Sequence, residues 1–294
     1  MPAMTLHDQI ARARDRLVRA GVSAREADLD ARLLARHVLG WDTARLLTGL
    51  RDAPPPGFAA PFDAAVTRRE RHEPIAYITG VREFWGLPFD VSADVLVPRP
   101  ETELIVEEAV TALRESGVWA SPGRPIIVDV GTGSGCLAVA LARECPSARV
   151  VATDISAAAL RVARRNALRF ETAARTRFVR THLLSGLGAA ADLIVSNPPY
   201  VPTADAATLP PDVRTHEPPV ALFAGPDGLS LIRELLDQAA DHLRPGGWLI
   251  FEFGFGQADA VQELISARGR CTITRIRSDL QGIPRTAVVR RLDR

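Results

Sequence analysis

The sequence predicts an α/β protein: a mainly parallel sheet covered by helices on both faces, preceded by a small helical bundle and a β-hairpin connector. Three observations carry this reading. Beyond residue 125, short apolar runs alternate with helical stretches, as they do when strands are buried on both faces and joined by crossover helices. Before residue 74 the apolar spacing is helical, and between the two regions it turns strand-like around two glycines. At 294 residues, with about 150 per domain, two domains are expected, and 47% hydrophobic residues are enough to bury a core in each.

Taken in order, Thr5 and Asp8 read as a capping box, after which Leu6, Ile10, Ala13 and Leu17 recur at helical spacing until Gly21. Ser23 and Glu26 repeat the start signal; Leu29, Leu33, Leu34 and Val38 make one face, and Gly40 ends the helix. Helices are also expected over 44–50 and 59–71, separated by Pro54-Pro55-Pro56-Gly57. Over 76–91, Tyr77, Ile78, Phe84, Trp85, Phe89 and Val91 flank Gly80 and a Gly86-Leu87-Pro88 turn, which predicts the hairpin. The expected domains are a helical domain over 1–75, a connector over 76–95 and a catalytic domain over 96–294. Within the last, strands are expected over 125–130, 149–153, 177–180, 191–196 and 248–253, and helices over 136–144, 156–170 and 229–243, with Arg244-Pro245-Gly246-Gly247 as a turn. Ligands of such sheets sit beyond the carboxyl ends of the strands, which directs attention to the residues that follow each one.

Composition removes several classes of function. Lys+Arg 36 against Asp+Glu 35 leaves a net charge of +1, with every positive side chain an arginine, so there is no cationic coat for nucleic acid. Cys136, Cys145 and Cys271 form no CxxC pair and leave one cysteine over in any disulfide scheme, which reads as a reduced, cytoplasmic chain. The six histidines are scattered, giving no support for a metal site. No apolar run reaches the roughly 18 residues of a membrane span, and the amino-terminal stretch is too charged for a signal peptide.

Directly after the first strand of the sheet stands Gly131-Thr132-Gly133-Ser134-Gly135, running into a helix. Glycines there let backbone turn tightly and approach a ligand closely. The third glycine of a dinucleotide GxGxxG would fall at Cys136, and no Gly-Lys-Ser/Thr follows, so neither a nicotinamide nor a Walker loop is indicated. Asp154 ends the next strand, 23 positions beyond Gly131, where an acid can accept the two hydrogens of a ribose diol. The spacing suits an adenosyl ligand without a pyrophosphate, although the glycine triplet alone would read equally as an ordinary strand-to-helix turn.

The fourth strand ends in Asn197-Pro198-Pro199-Tyr200. Each proline holds its predecessor extended and removes an N–H, so the stretch is stiff and rich in acceptors. The Asn197 amide oxygen and the Pro198 carbonyl would form a fixed acceptor pair for a planar NH2 group, with the Tyr200 ring stacked on its face. Without the glycine loop and Asp154, the tetrapeptide would read first as a proline-rich turn closing the sheet.

These marks together resemble those of Rossmann-like class I methyltransferases that use S-adenosylmethionine. Further segments narrow the likeness: Pro74-Ile75-Ala76-Tyr77-Ile78-Thr79-Gly80, Glu83-Phe84-Trp85-Gly86, Val97-Pro98-Arg99-Pro100-Glu101-Thr102-Glu103 and Gly225-Pro226-Asp227-Gly228-Leu229. With the helical amino-terminal domain they resemble the HemK/PrmC family, glutamine methyltransferases of peptide chain release factors, over nearly the whole chain. The resemblance implies S-adenosylmethionine as cofactor, held by Gly131, Thr132, Gly133, Ser134, Gly135, Asp154, Leu183 and Asn197. The implied substrate is the glutamine of a Gly-Gly-Gln loop in a release factor, held by Asn197, Pro198, Pro199 and Tyr200, with Arg99, Glu101 and Thr102 beside its entrance. Asn197 and Pro198 would be catalytic, no metal is called for, and the helical domain would recognise the substrate. Taken singly, Arg99, Glu101, Thr102 and Glu103 are equally explained by helix capping and a surface ion pair. Where the family carries Ser-Asp-Trp-Phe after the third strand, this chain has Thr181-His182-Leu183-Leu184; His182 is either a polar substitute at the adenine or a loop histidine facing solvent.

Three other functions fit parts of the pattern. An adenine amino group is also a planar NH2, but residues 1–80 hold 12 Arg and 10 acids, a net +2, and the remainder 24 Arg and 25 acids, a net −1, without the basic excess of a nucleic-acid clamp. A ribosomal protein glutamine is a nearer alternative substrate. A binding module that holds a nucleoside and transfers nothing would have no use for the intact tetrapeptide.

Overall fold

The computed structural model describes residues 4–117, 124–188 and 190–293. The chain divides into two compact units, Met1–Val81 with Leu209–His216, and Arg82–Thr208 with Glu217–Arg294.

The first unit is helical: α1 (Leu6–Arg19), α2 (Ala24–Leu39), α3 (Thr43–Thr48), α4 (Ala59–Glu70) and α5 (Ile75–Thr79). The capping box forms as read, with Asp8 donating its N–H to Thr5 Oγ1 at 3.2 Å and the Thr5 N–H donating to Asp8 Oδ2 at 2.9 Å. Leu6, Ile10 and Leu17 of α1 bury against Leu34 of α2 and Phe62 and Val66 of α4. One charge is buried with its partner: Arg69 Nε donates to Asp30 Oδ2 at 2.7 Å. Tyr77 and Ile78, expected in a strand, lie in α5; Pro74 at its N-cap starts the turn and Gly80, at φ 75°, ends it. The segment Leu209–His216, expected in the catalytic domain, groups with this unit and contains α9 (Pro211–His216), whose His216 Nε2 bonds the Arg71 carbonyl at 2.9 Å.

The hairpin is shorter than expected: β1 (Val81–Phe84) and β2 (Leu87–Asp90) turn through Trp85 and Gly86, at φ 54° and 69°, the left-handed pair that matches strand twist. Glu103 Oε1 accepts the Trp85 N–H at 2.7 Å and Glu144 Oε1 accepts from the Trp85 ring at 2.8 Å. Glu103 is therefore spent on holding the hairpin.

The sheet-bearing unit continues with α6 (Glu103–Glu115), β3 (Ile126–Val130), α7 (Cys136–Glu144), β4 (Arg149–Asp154), α8 (Ala157–Arg169), β5 (Thr176–Arg180), β6 (Ala191–Ser196), α10 (Ser230–His242), β7 (Leu243–Glu252), α11 (Ala258–Arg268), β8 (Cys271–Ser278) and β9 (Pro284–Arg291). The seven strands lie in the order β5-β4-β3-β6-β7-β9-β8. Neighbours from β5 to β7 pair parallel, and β9 is antiparallel to both β7 and β8. The sequence reading missed α11, β8 and β9. Arg244–Gly247, expected as a turn, falls inside β7 at an irregularity of its pairing with β6, where Gly246 takes φ 72°.

Side chains alternate between two cores, as period two requires. Ile127, Leu193, Val195, Trp248, Ile250 and Val288 pack with α6 and α7, whereas Val128, Ile194, Leu249, Phe251 and Val289 pack with α10 and α11. Chain order reverses between β3 and β6, because β4 and β5 lie on one side of β3 and β6 on the other. A crevice at that switch point is the general consequence. The register aligns Val130 with Ser196, and Ser196 with Phe251, so Gly131, Asn197 and Glu252 stand side by side one residue further along.

Buried Asn166 of α8 joins three of these parts. Its Nδ2 donates to the Asp90 carbonyl at 2.9 Å and the Ser134 carbonyl at 2.8 Å, and its Oδ1 accepts the Asp90 N–H at 2.8 Å. Asn166→Ala leaves three backbone groups without their partner, at about 1–3 kcal/mol each where water cannot replace it. Urea unfolding of the full chain is expected to show a loss of about 3 kcal/mol or more; a loss below about 1 kcal/mol would show that the clamp does not hold the glycine loop.

Candidate active site

A cleft opens at the carboxyl ends of β3, β4 and β6. It is lined by Gly131, Thr132, Gly133 and Ser134, by Asp154 and Ile155, by Leu183 and Asn197, and by a wall from Asp94 to Pro98. Thr102, His182 and Pro199 also face it, and Pro218, Val220 and Ala221 close one side. The empty space among these atoms, open mouth included, is about 1120 Å³. Among the described residues, its lining side chains include the carboxylates of Asp94 and Asp154 and no arginine.

The glycine loop takes its shape from its first and last turns. Thr132 donates its N–H to the Thr153 carbonyl at 2.8 Å, which ties the loop to β4. At Gly131, φ 70°, nothing lies within 4 Å of where a β-carbon would stand, so bare backbone faces the cleft. Gly135 serves another purpose: a β-carbon there would stand 3.0 Å from Ala163 of α8. Gly135 is not among the residues that line the cleft.

Asp154 accepts the Gly133 N–H at 3.0 Å on one oxygen and the Ser156 N–H at 2.8 Å on the other. Burial raises its pKa, opposed by those N–H groups. Each carboxylate oxygen keeps a further lone pair, so the residue can hold the loop and accept hydroxyl hydrogens from a ligand. Open backbone at Gly131, a diol acceptor at Asp154 and the apolar Leu183 and Ile155 fit an adenosyl group with a positively charged tail. Leu183 reaches the cleft through a left-handed φ of 49°. His182 Nε2 meets Glu234 Oε2 at 2.7 Å, both side chains about half exposed.

The tetrapeptide is held from behind. Asn197 Nδ2 donates to Thr102 Oγ1 at 2.9 Å, Thr102 donates to Glu252 Oε2 at 2.7 Å, and Tyr200 donates to Glu252 Oε1 at 2.9 Å. Gln257 Nε2 donates to the Tyr200 carbonyl at 3.0 Å. A β-carbon at Gly228 would lie 2.2 Å from that carbonyl, which accounts for a glycine in Gly225-Pro226-Asp227-Gly228-Leu229. Among the described residues no donor reaches Asn197 Oδ1 or the Pro198 carbonyl.

Tyr200 donates its hydroxyl to Glu252 and stands beside Gly254, and its ring does not line the cleft. The reason is the buried carboxyl, which captures the phenol. Arg99 Nη2 donates to both carboxylate oxygens of buried Glu217, at 2.7 and 2.8 Å, and Glu101 lies outside the cleft lining. Glu252 was missed entirely, although a lone acid in Trp248-Leu249-Ile250-Phe251-Glu252-Phe253 is a visible signal, since a buried carboxylate is costly unless bonded.

Asp129 sits behind the loop, fully enclosed, with Oδ2 accepting from Thr132 Oγ1 at 2.6 Å and the Ala138 N–H at 3.0 Å. Oδ1 has no partner. Burial pushes its pKa up to about 7, against the pull of those two donors. Burial likewise pushes the Cys136 thiol up to about 12, which leaves it inert at neutral pH. The unfolded chain releases the Asp129 proton near the ordinary value of 3.8, so the folded state binds the extra proton between there and about 7. Wild-type stability therefore falls as pH rises through that window, by up to about 1.4 kcal/mol per pH unit. Asp129→Asn keeps the acceptor and removes the titration. Its unfolding free energy relative to wild type is expected to improve steadily from about pH 5 to about pH 8; a difference independent of pH would contradict a raised Asp129.

Two family models match the sequence, the PrmC N-terminal domain over residues 8–80 and the methyltransferase small domain over residues 121–209. The chain is 43% identical over 267 residues to a release factor glutamine methyltransferase of Bradyrhizobium diazoefficiens, covering 91% of this chain and 89% of that protein. It is 42% identical over 289 residues to that of Deinococcus radiodurans, covering 98% and 99%. Among solved structures, the fold is similar to the hMettl16 catalytic domain in complex with an RNA hairpin of the MAT2A 3′UTR, with TM-score 0.57, 16% identity, and coverage of 75% of this chain and 80% of that one. A methyltransferase from Pyrococcus furiosus matches with TM-score 0.50 at 17% identity, covering 78% and 98%. The two bacterial relatives share this level of identity over almost the whole length, helical unit included, and the chain belongs to the release factor glutamine methyltransferase family.

Proposed function

We propose that this chain transfers the methyl group of S-adenosylmethionine to the side-chain amide nitrogen of a glutamine in a peptide chain release factor, the glutamine of its Gly-Gly-Gln motif. The observation that carries the reading is the state of Asn197. Its Nδ2 is taken by Thr102, so Oδ1 is the end left for a ligand, next along the chain from a Pro198 carbonyl that accepts from no described donor. Two acceptors in place, and no N–H on either following proline, match a planar NH2 with two hydrogens to give. The names of the relatives supply the substrate class.

Bound in the cleft, S-adenosylmethionine supplies a methyl group carried on a positively charged sulfur. Gly131, Thr132, Gly133 and Ser134 would lie along it, Asp154 would accept from its ribose hydroxyls, Leu183 would pack at the adenine, and Asn197 would border the methyl. A glutamine amide is a weak nucleophile because its lone pair is delocalised into its own carbonyl. When Asn197 Oδ1 and the Pro198 carbonyl accept its two hydrogens, they hold the nitrogen in place and stabilise the positive charge that grows on it. The proton lost from the methylated nitrogen passes to water. Pro199 and Thr102 shape the same wall, and the role left for the helical unit is to recognise the body of the release factor. The reading places the protein in the cytoplasm with its substrate.

Incubation with labelled S-adenosylmethionine and a purified release factor, followed by peptide mass spectrometry, should place the label on that glutamine; label elsewhere, or on nucleic acid offered in its place, would overturn the proposal. Asp154→Ala is expected to weaken S-adenosylmethionine binding by about tenfold or more, read by calorimetry, because charge-assisted bonds to the ribose are lost. Unchanged affinity would remove Asp154 from the cofactor site. Asn197→Ala is expected to lower kcat by about a hundredfold or more with cofactor affinity kept. Near wild-type turnover would refute the acceptor pair.

A further inference from the structure

We infer that Glu252 is a positioning residue for methyl transfer: by fixing the direction of the Thr102 hydroxyl, it sets which end of the Asn197 amide faces the reacting nitrogen. The inference rests on the proposed reaction and adds to it a residue that touches neither substrate nor cofactor.

The register brings Glu252 to this place. It closes β7 directly after the Ser196 and Phe251 pair, so it stands beside Asn197 at the end of the neighbouring strand. Its 1% exposure means that protein groups must satisfy it. Each oxygen takes one hydroxyl, Thr102 on Oε2 at 2.7 Å and Tyr200 on Oε1 at 2.9 Å.

A carboxylate accepts and never donates. The Thr102 hydrogen is therefore committed to Glu252, and only lone pairs of Oγ1 remain for Asn197 at 2.9 Å. Asn197 must present Nδ2 to them and Oδ1 to the cleft. An asparagine amide has nearly the same shape when its O and N are exchanged, so packing alone would not choose between the two. In the exchanged state an NH2 would face the NH2 of the substrate, and donor would meet donor. The buried acid thus decides, two bonds away, whether the cleft attracts or repels the nucleophile. The second branch of the same carboxylate secures Tyr200, whose carbonyl is held by Gln257, so both ends of Asn197-Pro198-Pro199-Tyr200 are fixed from one point.

Glu252→Gln keeps the shape but offers one acceptor and one donor where two hydroxyls need acceptors. In the full-length enzyme, with a release factor as substrate, kcat is expected to fall about tenfold to a hundredfold, with KM and the S-adenosylmethionine affinity little changed. The double variant with Thr102→Val should lose clearly less than the two single losses combined, because both act through the Thr102 hydroxyl. A wild-type kcat in Glu252→Gln, additive losses in the double variant, or a loss expressed as weaker cofactor binding would overturn the inference. If Glu252→Gln does not fold, Thr102→Val decides by itself: the same fall in kcat with cofactor affinity kept supports the relay, and retained kcat refutes it. NMR of the Asn197 side-chain amide, assigned by its loss in Asn197→Ala, needs no substrate; the resonance should move in Glu252→Gln, and one that does not move counts against the relay. Wild-type protein that methylates no release factor would overturn the proposed function instead, and leaves this spectroscopic test standing.

Discussion

Parallel pairing of β3, β6 and β7 in a register that aligns Val130, Ser196 and Phe251 is the constraint on which the site depends. Each strand is mainly apolar up to that line, because both of its faces are covered by helices, with Asp129, Asp192 and Ser196 as buried polar exceptions. The residues at the line's far side are Gly131, Asn197 and Glu252. A bare backbone turn, an amide and an acid are thus laid side by side by hydrogen bonds made deep in the sheet. A shift of one residue in either pairing would turn alternate side chains to the wrong core and separate all three.

Polar groups behind this line work by occupying one another. Asn166 takes the Ser134 carbonyl and both backbone groups of Asp90, Asp154 takes two loop N–H groups, and Glu252 takes two hydroxyls. Burial raises the pKa of Asp129, Asp154 and Glu252 together, and among the described residues no arginine lines the cleft. Such surroundings suit a cationic methyl donor and a nitrogen that gains positive charge, and they give an anionic ligand little to bind.

The parts legible in the sequence were those set by local chemistry. Cys136–Glu144 and Ala191–Ser196 have the expected bounds, because a glycine loop and a short, mainly apolar run leave little choice. The capping box at Thr5 is a matter of residues three apart. What was not legible depends on partners distant in the chain. Tyr77 and Ile78 are buried in a helical turn, where their apolar character is the same as it would be in a strand. Cys271–Ser278 alternates threonines and arginines with isoleucines, and its arginines find Glu107, Glu108 and Glu115 on α6, a pairing across more than half of the chain. At the site, spacing alone identified Asn197 and Asp154 as candidates, whereas the turning of Tyr200 toward Glu252, and of Arg99 toward Glu217, follows from acids whose burial only the folded sheet reveals.

The account stands on the acceptor pair at the end of β6. A high-resolution structure of the enzyme with demethylated cofactor product and a glutamine-containing release factor peptide tests it most directly. The account predicts the glutamine nitrogen within hydrogen-bond reach of both Asn197 Oδ1 and the Pro198 carbonyl, with Asn197 Nδ2 still on Thr102. A glutamine nitrogen held by other groups, or an Asn197 amide turned with Nδ2 toward the substrate, would contradict it.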